Sequence, residues 1–84
     1  MKEVGYQNLA ADLRRIAMWM YTGNERLTEM FLEKGLAGFG TDKRMVKGKA
    51  LADWLVELKD WRRDKERGAE RALTLSTFLS GGGK

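Results

Sequence analysis

The chain contains no cysteine, no histidine and no proline. Without cysteine, neither a disulfide nor a thiolate-metal site can supplement the core, and a reducing, cytoplasmic setting is the expectation. Without histidine or cysteine, the commonest general base and the commonest soft nucleophile are missing, which argues against an enzyme. The absence of proline removes the usual helix breaker, so long uninterrupted helices are permitted. β-branched residues are sparse and show no period-2 alternation, so strands find little support. Long apolar runs are missing too. The longest, residues 16–21, is six residues, far short of a membrane span, and the N-terminus has no apolar leader segment.

What remains is an 84-residue chain, 43% hydrophobic, with ten glycines. That length suits one small domain, residues 1–80, with a thin stability margin. Residues 81–84, Gly-Gly-Gly-Lys, read as a flexible tail. The fold class expected is all-α, a small antiparallel bundle of three to four helices. Leu9, Leu13, Ile16, Ala17 and Met20 make an amphipathic stripe, predicting a helix over residues 6–21. Gly23 supplies a stop and Asn24 a cap for a second helix over residues 24–34, with Leu27, Met30 and Phe31 inward. Residues 35–40, Gly-Leu-Ala-Gly-Phe-Gly, read as a loop whose Leu36 and Phe39 plug the end of the bundle. Its two outer glycines have the spacing of a phosphate-binding loop, but Thr41-Asp42 stand where that motif needs lysine.

From residue 42 the pattern is helical to residue 80. A seam of Leu51, Trp54, Leu58 and Trp61 weakens at Lys65 and Gly68, then resumes at Ala72, Leu75 and Leu79. Two arrangements fit: helices over residues 42–67 and 69–80 with a break near Gly68, or one long helix. A break lets the last helix fold back and bury Leu73, Leu75, Phe78 and Leu79.

The net charge is +4, and the whole excess lies in residues 42–84. Lys43, Arg44, Lys47 and Lys49 crowd what reads as a helix N-terminus, already positive from the macrodipole. That placement suggests an anion-binding surface, with a plain solvated surface as the competing reading. Lys59, Arg63, Arg67 and Arg71 form a ridge at i+4 spacing, and Asp60, Asp64 and Glu70 are placed to neutralise it at i+3. Glu25, Glu29 and Glu33 share one helix face, and a solvated face is the simpler reading than a cation site.

Residues 16–21 are apolar on nearly every side, more than one small helix stripe can bury. Met18, Trp19 and Tyr21, with the seam residues Trp54 and Trp61, are therefore candidate partner-binding residues. The competing reading packs Trp19 under residues 36–39. The leading functional expectation is a non-catalytic helical protein-interaction or oligomerisation module, paired as a homodimer or with a helical partner. The alternative is a small basic nucleic-acid-binding or regulatory protein using Lys43, Arg44, Lys47 and Lys49, with Arg14 and Arg15 in support. No catalytic residue, metal ligand, cofactor site or small-molecule site is indicated, and no helix pairs a basic face with a clean apolar one as membrane-surface binding requires.

Overall fold

In the computed structural model, which describes residues 2–80 with side chains from residue 5, the protein is all-α. Four helices, α1 (Lys2–Thr22), α2 (Glu25–Phe39), α3 (Leu51–Leu58) and α4 (Lys65–Leu79), are joined by tight turns and one minimal β-hairpin. The Gly-rich tail lies outside the described residues. Among the described residues no helix is long and apolar enough to cross a membrane.

The stripe that marks α1 is fully realised: Leu9, Leu13, Ile16, Ala17 and Met20 are all buried. Gly23 adopts φ +81°, and two backbone bonds close the helix end. The Asn24 amide donates to the Trp19 carbonyl (2.8 Å) and the Gly23 amide to Met20 (3.2 Å), a Schellman arrangement. Asn24 Oδ1 then accepts the Leu27 amide at 3.2 Å and starts α2.

Helix α2 does not stop at Lys34. It continues through Gly35 and Gly38 to Phe39, so residues 35–39 are helix rather than loop. Its inward face is also rotated from the expected one. Thr28, Leu32 and Gly35 are buried, Leu27 and Phe31 flank them half-buried, and Met30 is exposed. The helix presents its small side to α1, and Gly35 permits the approach. A Cβ there sits 3.4 Å from Leu9 Cδ1.

The expected long helix from residue 42 is replaced by three pieces. Asp42 Oδ1 accepts the Arg44 amide (2.8 Å) and Oδ2 accepts the Tyr6 hydroxyl proton (2.6 Å). This side-chain turn competes with helix formation. Strands β1 (Met45–Val46) and β2 (Lys49–Ala50) follow, antiparallel, with Met45 opposite Ala50 and Val46 opposite Lys49. Lys47 and Gly48 both have positive φ (53° and 80°), as a two-residue type I′ hairpin requires.

Helix α3 has no capping side chain at Ala50. Distant carbonyls serve its first turn instead: the Leu51 amide donates to Arg44 (2.8 Å) and the Ala52 amide to Asp42 (2.9 Å). Leu51, Leu55 and Leu58 face the core. The break in the seam comes earlier than Gly68. After Leu58 the chain turns, makes one 3₁₀ turn at Trp61–Arg63, and extends at Asp64 (φ −153°, ψ 95°). Asp64 Oδ1 accepts the Arg67 amide at 3.1 Å and launches α4. Gly68 lies inside α4, buried against Trp61.

Helix α4 runs antiparallel to α1. Ser76 donates to the Ala10 carbonyl (2.8 Å), while at the other end Gly68 lies beside Met20. Leu75 is buried and Phe78 and Leu79 are half-buried, but Leu73 points outward and is 48% exposed. The ridge of Lys59, Arg63, Arg67 and Arg71 is cut by the same break. Arg71 bonds Glu57 across helices instead, and Arg62, beside the ridge, reaches Glu25 and Glu29 on α2.

Candidate functional site

The five candidate partner-binding residues fall into three environments. Trp61 is core, 3% exposed, beneath the 3₁₀ turn. Trp54 is half-buried, and its indole N–H donates to the Val46 carbonyl at 2.9 Å, fastening the hairpin to α3. Trp19 is half-buried against the Phe31 ring, centroids 4.9 Å apart, rather than under residues 36–39. Only Met18 (65% exposed) and Tyr21 (69%) stand in solvent.

Those two do not stand alone. Arg14, Met18 and Tyr21 fall at i, i+4 and i+7 along the outer edge of α1, and Glu66, Glu70 and Leu73 have the same spacing on α4. The two lines flank a groove of about 520 Å³ floored by Ala17 and Ala69. Alanines on both helices keep the floor shallow, while Met18, Tyr21 and Leu73 raise apolar walls. Arg14 Nε donates to Ser76 Oγ (3.3 Å), leaving the outer nitrogens of its fork to donate elsewhere. Glu66 and Glu70 are exposed. Sequence periodicity reached the α1 edge but not Leu73, whose outward position depends on the rotation of α4 set by Gly68 against Trp61.

The candidate anion-binding residues lie on and beside the hairpin that leads into α3, rather than along the first turns of a helix as expected. Arg44 stacks its guanidinium on the Tyr6 ring (4.4 Å to the centroid), and Lys47 lies over Phe78 (5.3 Å). Lys49 donates to both Glu57 carboxylate oxygens (2.8 and 2.7 Å) and lies over Trp54 (5.0 Å). Lys43 is exposed. Three of the four cations therefore hold the hairpin to the body of the fold.

Two titrating groups record this arrangement. The hydrogen bond from Lys49 holds the Glu57 carboxyl below its ordinary range; the Lys49 and Arg71 charges add to this and partial burial opposes it. Tyr6 is pushed above the ordinary phenol value by its hydrogen bond to Asp42 and by burial, with Arg44 opposing.

Glu25 and Glu29 of α2 converge on Arg62 and Glu33 is exposed, and among the described residues no cluster of carboxylates is placed to hold a metal ion. The buried Ser76 hydroxyl donates to the Ala10 carbonyl and accepts from Arg14 Nε. Comparison with protein-family models, with curated proteins and with solved structures finds no match.

Proposed function

We propose that the protein is a non-catalytic binding module that docks another polypeptide on the α1–α4 face. The observation that carries this reading is the groove itself. Of the exposed large apolar side chains, Met18, Tyr21 and Leu73 stand around one shallow apolar floor, whereas Met30, Met45 and Val56 lie outside that groove. Apolar walls with a charged rim are the usual anatomy of a protein-binding patch. Methionine and tyrosine suit such a surface, because they give large contact area and adapt to a partner.

The hairpin supports a nucleic-acid reading less well. Lys49 is neutralised by Glu57, and Arg44 and Lys47 are engaged with aromatic rings of the fold. Phosphate binding needs cations that are free to replace counterions.

The test uses Met18→Asp and Leu73→Asp, which place charge in the groove without touching the core. Wild type and variants are compared by light scattering for self-association and as immobilised bait for capture of other proteins. A saturable contact present in wild type and lost in both variants is expected. Identical behaviour of all three proteins in both assays removes the reading.

A further inference from the structure

The register of the two helices sets unlike walls opposite one another across the α1–α4 groove. Ser76 bonds the Ala10 carbonyl and Gly68 lies beside Met20, so Arg14 is level with Leu73, Met18 with Glu70 and Tyr21 with Glu66. At two of the three levels a large apolar side chain therefore faces a carboxylate. Those two levels are about 6 Å apart, four residues of α4 at about 1.5 Å each. Among the described residues the lining of the groove comes from α1 and α4 alone.

The two carboxylates stand apart from the others in this chain. Among the described residues neither Glu66 nor Glu70 makes an ion pair or a hydrogen bond, although the chain carries 16 lysines and arginines. On α2 and α3, any two carboxylates four residues apart include one held by a cation. Arg62 holds Glu25 and Glu29, and Lys49 and Arg71 hold Glu57. Glu66 and Glu70 are left as two bare like charges one turn apart, an arrangement that weakens a helix slightly. The macrodipole favours Glu66, in the first turn of α4, but not Glu70 beyond it. The pair expected between Arg67 and Glu70 does not form, because Arg67 lines the cleft beside Trp61 and Arg71 instead.

A lysine or arginine from a partner satisfies both walls at each of these levels. Its methylene stem packs on Met18 or Tyr21 while its charged head reaches the carboxylate opposite, and the Tyr21 ring adds a cation–π contact. Cations four residues apart on a helix match the spacing of Glu66 and Glu70. A helix also satisfies its own backbone groups, whereas an extended segment finds no strand edge in this groove to pair with. Arg14, at the third level, repels a further cation and confines the basic pair to the Glu66–Glu70 end. We infer that the groove takes a basic amphipathic helix of another polypeptide, with two cations one turn apart on Glu66 and Glu70 and its apolar stripe on Ala17 and Ala69. The inference rests on the docking reading above and states the chemistry of the partner.

Synthetic helical peptides of about 18 residues, sharing one leucine stripe, test it. The first carries two lysines four residues apart beside the stripe, and the second carries glutamates at those positions. The third has the two lysines on the side away from the leucines. Each dye-labelled peptide is titrated with the protein and read by fluorescence anisotropy at about 0.1 M salt, where the screening length is about 10 Å. The first peptide binds wild type about tenfold or more tighter than either of the others. Nonspecific attraction to a chain of net charge +4 gives the opposite order, favouring the glutamate peptide. The preference drops to about twofold or less in Glu66→Gln/Glu70→Gln, checked for helicity and cooperative melting. Glu70→Gln alone, which leaves the first turn of α4 intact, lowers it about threefold. The inference is overturned if no peptide binds, if the first binds no tighter than the other two, or if its advantage survives without the two carboxylates. The docking reading is then judged separately, by whether Met18→Asp and Leu73→Asp abolish the association or capture seen with wild type. If they change neither, both fail together.

Discussion

Gly68 and Gly38 are both helical glycines, yet their surroundings give them opposite roles. A Cβ on Gly68 lies 2.8 Å from Trp61 Cβ and 3.2 Å from its Cα, atoms too close to the backbone to swing away. Gly68→Ala gains about 1 kcal/mol in helix propensity but forces an overpacking cost of about 1–3 kcal/mol. A net loss of about 1 kcal/mol is expected, seen as a lower urea midpoint. Gly38 has nothing within 4 Å of the same position, so Gly38→Ala raises the midpoint by up to about 1 kcal/mol equivalent. Thr28 is the complementary case. Its hydroxyl is buried without a hydrogen-bond partner among the described residues. Thr28→Val keeps the branched shape and removes the unpaired group, so stability rises by about 1 kcal/mol; a lower melting temperature in this variant contradicts the assignment. Sequence alone marks Gly68 only as a weak point in a seam. Composition cannot show that a glycine is required by the Cα and Cβ of a tryptophan seven residues earlier.

Helices whose ends are fixed by neighbouring residues were legible; those fixed from a distance were not. The α1–α2 turn depends on Gly23 and Asn24, both local signals, and it falls where their chemistry puts it. Helix α3 begins at Ala50, which has no capping side chain, because its first amides are satisfied by carbonyls of Asp42 and Arg44. Only the folded hairpin creates that cap. Asp64 is the local signal that the heptad pattern concealed, since a regular seam ran across it. Asp64→Ala removes the α4 cap and lowers stability by about 1 kcal/mol, measurable by urea denaturation; an unchanged midpoint means that water serves the Arg67 amide equally well. Glu57 joins β2, α3 and α4 through Lys49 and Arg71. Its folded carboxyl titrates below the unfolded value of about 4.3. The resulting stabilisation is fully present above that unfolded value and disappears as pH falls through the folded one. Stability measured against pH in this acid range therefore declines less steeply in Glu57→Gln than in wild type. Parallel profiles would leave Glu57 without an energetic role.

The all-α architecture follows from sparse β-branched residues and clear helical stripes, and much of the docking face was visible the same way. Met18 and Tyr21 stood out because residues 16–21 carry more apolar surface than one stripe can hide. The tryptophans Trp54 and Trp61 proved to be structural, since each has a use that appears only on folding: one bonds the hairpin, the other supports Gly68. Leu73 and Glu66 were hidden for the opposite reason. Their position depends on how α4 rotates against α1, and no pattern within α4 determines that. Charge placed on this face therefore separates docking from folding. Met18 and Leu73 are 65% and 48% exposed, so Met18→Asp and Leu73→Asp are expected to leave the melting temperature of the isolated chain within about 3 °C of wild type. A contact with another polypeptide that stabilises the native state adds to that temperature by mass action, in wild type and not in the variants. Calorimetry over two decades of protein concentration reads the case in which the other polypeptide is the same chain. A wild-type melting temperature that stays constant over that range leaves a different polypeptide as the occupant of the groove.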